Sequence, residues 1–156
     1  LQISKTFDTG TSPIRLEIRF NTLVQSTTTS IDGFINVWLS NGDNSRADWF
    51  GPAAWNYGSD RNFAGTPFGS MPFDFKDNTW YRLVITGSRN QEIRASIIDD
   101  ETGKELVGVN LGYNFSVFKS GFKIGIMQQM GTPSPDKAYP TDVAIDWIRL
   151  TIIPDR

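Results

Sequence analysis

The sequence predicts an all-β domain, built as a sandwich or barrel of antiparallel strands. Apolar and polar residues alternate in short runs, Gly, Pro, Asn and Asp break the runs apart, and no stretch repeats its apolar residues at helical spacing. Many short strands joined by frequent turns pack as two layers or close on themselves. Ile14, Leu16, Ile18 and Phe20 fall on one face of a strand, with Arg15, Glu17 and Arg19 on the other, the pattern of a half-buried antiparallel sheet. Residues 33 to 39 form another strand, in which Phe34, Asn36 and Trp38 share a face that fits either core or an open groove. A longer run, Thr79 to Thr86, turns at Ser88-Arg89-Asn90 into a strand from Ile93 to Ile98. The polar loop Asp99 to Lys104, whose Gly103 accepts positive φ, leads into a strand through Leu106, Val107 and Val109. Strands at 122 to 128 and 143 to 153 complete the set, with Thr132-Pro133-Ser134-Pro135 as a loop between them. Trp80 and Trp147 sit inside strand patterns and read as core or structural residues.

The segment from Asn41 to Asp77 is rich in Gly, Pro and Asn and is expected to be one long irregular loop. Its aromatic content argues against disorder, because disordered segments are poor in aromatics. Phe68, Phe73 and Phe75 are expected to tuck the loop against the sandwich.

With 156 residues, the chain is read as one domain with a single core. The absence of cysteine excludes a disulfide framework and a thiolate metal site, and leaves the redox compartment open. Net charge is -2 with Lys and Arg scattered singly, so no basic stripe points to nucleic acid or to an anionic membrane. No apolar run approaches the roughly 20 residues of a membrane helix. The start, Leu1-Gln2-Ile3, lacks the basic and apolar regions of a signal segment and is not Met, as in a processed protein or a module of a longer polypeptide.

Three stretches together resemble the concanavalin A-like lectin and glucanase superfamily. They are Asn78-Thr79-Trp80-Tyr81-Arg82-Leu83-Val84-Ile85, the turn Asp100-Glu101-Thr102-Gly103-Lys104, and the ending Ala144-Ile145-Asp146-Trp147-Ile148-Arg149-Leu150. Their order covers the C-terminal half, while the N-terminal half matches by strand pattern. The resemblance implies a two-sheet jelly roll that holds a glycan in most relatives, and an extracellular or cell-surface location. It also implies an ion: in many relatives a final-strand Asp helps bind a structural Ca²⁺, a role that falls on Asp146, with Asp8 as a second acid and no cofactor otherwise required.

Glycoside hydrolysis needs two carboxylates flanking the bond, which glucanases of this superfamily supply from one strand as Glu-x-Asp-x-Glu, and this chain has no such run. Glu17 lies between Arg15 and Arg19 on its face, a poor setting for a general acid. Arg15-Leu16-Glu17-Ile18-Arg19 looks like the Arg-x-Glu-x-Arg strand of jelly-roll alginate lyases, and Phe118-Lys119-Ser120-Gly121 is similar to another of their segments. Those lyases also use a Gln-x-His strand and Tyr as proton donor, whereas this chain has no His, and the family's Tyr positions fall on Val117 and Lys123. Lack of His also excludes Ser-His-Asp and Cys-His constellations and His-ligated zinc.

Binding is the reading that remains. Sugars present apolar faces rimmed by hydroxyls, so their sites combine exposed flat rings with amide, carboxylate or guanidinium groups. The 41 to 77 segment holds that mixture: Trp49, Trp55 and Tyr57 as stacking rings, with Arg46, Asp48, Asn56 and Asp60 as polar partners. The second candidate surface is the sheet face of Arg15, Glu17 and Arg19, either a solvated ion-paired face or Arg forks for an acidic or hydroxyl-rich sugar. The leading expectation is a non-catalytic carbohydrate-binding module, with a glycan as ligand and other domains of a carbohydrate-active enzyme as neighbours. A polysaccharide lyase or hydrolase, and a protein-binding adhesive domain, are the competing readings.

Overall fold

The computed structural model describes residues 2–7, 11–24, 34–43, 45–55, 60–65, 67–118, 121–129 and 142–153. Among the described residues eleven strands follow one another: β1 (Gln2–Phe7), β2 (Ile14–Val24), β3 (Phe34–Asn41), β4 (Ala47–Trp55), β5 (Asp60–Gly65), β6 (Gly69–Pro72), β7 (Thr79–Gly87), β8 (Glu92–Asp99), β9 (Glu105–Asn114), β10 (Phe122–Gln129) and β11 (Asp142–Ile152). The helical turn among the described residues is a short 3-10 segment, Phe115–Val117, capped by the Asn114 side chain. All pairings are antiparallel, in a six-stranded sheet β1-β10-β3-β4-β5-β6 and a five-stranded sheet β11-β2-β7-β8-β9.

The core lies between the sheets and follows strand alternation. Ile14, Leu16, Ile18, Phe20, Leu83, Ile85 and Ile97 come from the five-stranded sheet, and Val37, Leu39, Phe63, Phe122 and Ile124 from the six-stranded one. Both expected hairpins form, each around a specific turn. Ser88 Oγ accepts from the Asn90 and Gln91 N–H groups at 3.0 and 2.9 Å. Asp99 Oδ1 accepts from Thr102 N at 2.7 Å, and Gly103 adopts φ 71°.

The expected long loop between Asn41 and Asp77 is instead three strands, β4, β5 and β6. Its Gly and Pro residues occupy positions where the ladder tolerates them. β3 pairs with β4 from Ala47 to Phe50 among the described residues, so Pro52, opposite Phe63 of β5, has a strand neighbour on one side alone, the setting in which a sheet accepts a residue without an N–H. Pro72 ends β6 at the sheet edge. Gly65 is needed for space, since a Cβ there would stand 2.5 Å from Phe68 Cε1 and 2.8 Å from the Trp49 carbonyl oxygen. Phe75 is buried, and Phe68 and Phe73 pack against the core, as their expected tucking role requires.

Of the core or structural role expected for Trp80 and Trp147, the core half is corrected. The inward positions beside Trp80 belong to Tyr81 and Leu83, so Trp80 turns outward, opposite Asn21 and half-buried. Trp147, opposite Arg19, is likewise half-buried on that outer face.

Candidate functional site

Two outward faces carry the candidate residues. On the six-stranded sheet, Val37 and Leu39 point into the core, so Trp38 between them points away from it. Trp38 stands directly across from Trp49 of β4, and both rings are half-buried. On the other side, Trp38 is opposite Gly125 of β10. Trp38 Nε1 is buried and has no hydrogen-bond partner among the described residues. Trp38 and Trp49 are therefore cross-strand neighbours on the outer face; Trp49 is one of the rings the sequence offers for stacking, and Trp38, which fits either face in the sequence, takes the outer one because Val37 and Leu39 take the core side.

The remaining residues of the expected loop site divide. Trp55 and Asp60 are backbone register partners at the far end of the β4–β5 ladder. Asn56 and Tyr57 lie outside the described residues. Arg46 and Asp48, expected as ligand partners, are engaged inside the protein. Asp48 is only 6% exposed, and its Oδ2 accepts from Arg46 Nε at 2.9 Å and from the Tyr113 hydroxyl of the opposite sheet at 2.8 Å. The Arg46 guanidinium lies 4.6 Å from the Tyr113 ring centre. This cluster latches β4 to β9 across the sandwich, and a buried carboxylate with two such donors has no need of a ligand.

Burial first, and then the hydrogen bond to Asp48, raise the Tyr113 phenol above its ordinary pKa. The folded state therefore holds this proton more tightly than the unfolded state. Stability from that difference is complete below the ordinary phenol value and is lost as pH rises from there through the raised folded value. Urea midpoints measured on either side of about pH 10 should fall more steeply for the wild type than for Tyr113→Phe; equal slopes would show that the phenol does not couple to folding.

The outer face of the five-stranded sheet is a charge network. Glu17, 6% exposed, accepts from Arg15 Nη2 at 3.0 Å and Arg82 Nη1 at 3.4 Å. Arg82 Nε stands 3.2 Å from Asp100 Oδ1, an ion pair without hydrogen-bond alignment. Arg19 donates to Asp100 Oδ2 at 2.9 Å and to Asp146 Oδ2 at 2.6 Å, and its guanidinium lies 4.0 Å from the centre of the Trp80 ring. The hydrogen bonds to Asp100 and then Asp146 hold the Arg19 pKa above its ordinary value. Arg94, Glu105, Ser96 and Asn110 form a second polar group on β8 and β9. At the end of this sheet Arg19, Trp80, Asp99, Asp100 and Glu101 help line an open cleft of about 500 Å³.

Asp146, the expected calcium ligand, thus has a guanidinium at its carboxylate. Among the described residues no three acidic side chains converge as a cation site, and Asp8 lies outside those residues. Arg82 and Asp100, both central to the network, escaped sequence reading because their partners lie on other strands.

No protein-family model and no curated protein matches the chain. Its fold does have counterparts. Full-length tailspike protein 2 from Escherichia coli O157:H7 bacteriophage CAB120 superposes with a TM-score of 0.59 at 13% identity, over 99% of this chain and 21% of that one. The enzymatically active domain of bacteriophage CBA120 tailspike protein 2 gives 0.58 at 13% identity, over 99% and 24%. Scytalido-glutamic peptidase with a transition state analog inhibitor gives 0.50 at 13% identity, over 92% and 76%. The chain is an all-β, jelly-roll-like sandwich. At such identity the likeness concerns the fold alone, and the chain spans less than a quarter of the length of the tailspike chains.

Proposed function

We propose that this chain is a non-catalytic glycan-binding domain of the concanavalin A-like lectin and glucanase kind, acting as a module of a longer secreted or cell-surface protein. The observation that carries the reading is the Trp38–Trp49 pair, side by side on neighbouring strands and turned away from the core. Paired rings on a sheet suit the apolar face of a pyranose, and aromatics are the usual energetic anchors of an interface. The non-catalytic part rests on the absence of His and of a paired-carboxylate run, and on the commitment of Glu17 to Arg15 and Arg82.

The test is an array of neutral polysaccharides (glucans, mannans, xylans, galactans) and acidic ones (alginate, pectate, hyaluronan), probed with wild type and Trp49→Ala. Loss of a central ring is expected to cost about 2 kcal/mol, roughly thirtyfold in affinity, with the fold retained. A wild type that binds no glycan, or that releases reducing ends or unsaturated sugar from one, would overturn the proposal. A second reading places the ligand in the Arg19–Trp80 cleft, favoured by its concavity and by a volume within the roughly 300–1,000 Å³ of ligand pockets. Binding that survives Trp49→Ala and fails in Trp80→Ala would select that cleft.

A further inference from the structure

A glycine inside a strand usually has a structural reason: a positive φ, a bulge, or a neighbour too close for a Cβ. Several glycines here have such a reason. Gly69, Gly103, Gly112 and Gly121 have positive φ. A Cβ on Gly65 or Gly108 would meet other atoms at 2.5 or 2.6 Å. Among the described residues and side chains, Gly125 in β10 has none of these reasons. Its φ is not positive, and a Cβ there would meet Trp38 Cβ at 3.6 Å, an ordinary contact. β10 pairs with β3 in unbroken register from Phe122 to Gln129, so Gly125 is not at a bulge in that ladder. The irregularity between β1 and β10 falls between Ile3 and Phe7, whereas Gly125 faces Gln2. Glycine in a strand interior costs stability, and the remaining reason for one is the close approach of something from outside.

We propose that Gly125 is the floor of a sugar subsite, a strip beside Trp38 kept clear of side chain so that a glycan can lie against the sheet. This rests on the glycan-binding reading and extends it. Phe122, Ile124 and Ile126 take the core side of β10, which leaves position 125 on the same outer face as Trp38, and the residue is partly accessible. Gly125, Trp38 and Trp49 form one row across three adjacent strands. With strands about 4.8 Å apart, the row runs for roughly 10 Å across the strand direction. The ligand class that fits is an oligosaccharide or an internal stretch of a polysaccharide crossing the strands, with one unit over Gly125 and the next against the tryptophans, and not a single terminal sugar.

The test compares Gly125→Ala and Gly125→Val with wild type and Trp49→Ala on the same polysaccharide array, with melting temperatures measured in parallel. The inference expects a melting temperature unchanged or raised in Gly125→Ala, because alanine narrows the unfolded ensemble and its Cβ has room. It expects affinity to fall at least roughly tenfold in Gly125→Val, whose branched side chain fills the strip. It also expects a hexasaccharide of the bound glycan to bind more tightly than the monosaccharide. A clear drop in melting temperature for Gly125→Ala would make the glycine structural and overturn the inference. So would wild-type affinity in Gly125→Val while Trp49→Ala loses binding, an outcome that leaves the glycan-binding reading standing. A wild type that binds nothing on the array would remove both.

Discussion

Phe75→Ala is expected to destabilise the domain by about 3–5 kcal/mol, the range for emptying a buried aromatic site. Phe75 is 0% exposed although it belongs to no strand, lying in the connection between β6 and β7. Its ring centre is 4.5 Å from that of Phe73, 5.2 Å from Tyr81 and 6.3 Å from Phe20, so it joins the connection to β2 and β7 of the five-stranded sheet. The Lys76 N–H donates to the Tyr81 hydroxyl oxygen at 2.9 Å, which ties the following residue to the same ring. Alanine would leave a cavity against strands that cannot close over it. A domain of ordinary stability, about 5–15 kcal/mol, would lose roughly a fifth of it or more. Equilibrium urea unfolding of Phe75→Ala and Phe75→Leu measures this, the leucine variant being expected to lose distinctly less because it fills part of the space. A loss under about 1 kcal/mol for alanine would mean that the connection packs independently of the core.

Glu17→Ala is expected to cost about 3 kcal/mol, at the lower end of what breaking a buried ion pair costs. Glu17 lies on the outward face of β2 yet is 6% exposed, because the arginines on either side cover it. Without it Arg82, whose side chain is 23% exposed, keeps the poorly aligned pair with Asp100 as its ion pair among the described residues. Arg15, at 39%, can turn to water, which is why the lower end applies. A cycle of Glu17→Met, Arg82→Met and the double variant separates pair from packing. Each single change should destabilise, and the double should recover much of the loss, because removing both charges leaves neither buried alone. Additive losses in the double variant would show that Glu17 and Arg82 are not energetically coupled.

The sequence by itself determined the class of fold and one side of each strand. In β2, apolar residues at every second position admitted a single orientation, and Ile14, Leu16, Ile18 and Phe20 are buried as that orientation requires. The turns were legible for the same local reason, since Ser88 and Asp99 bind backbone groups two or three residues along. Strands β4, β5 and β6 were not legible, because Pro52 and Pro72 are forbidden in a fully paired strand and allowed where one neighbour is missing. Whether a neighbour is missing is a property of the assembled sheet.

The same distinction divides the candidate site. Composition offers Arg46 and Asp48 as polar partners for a glycan, but Tyr113, some 65 residues along the chain, claims Asp48 from the opposite sheet. Asp146 in turn faces Arg19 at a sequence separation of 127. Trp38 and Gly125 are unremarkable as single letters and become one surface only when β3 and β10 lie side by side. Alternation is a local consequence of strand geometry and can be read from neighbours in the chain. A pairing between side chains on different strands depends on sheet order and register, which are set by the packing of the whole core, and only the tertiary structure decided it.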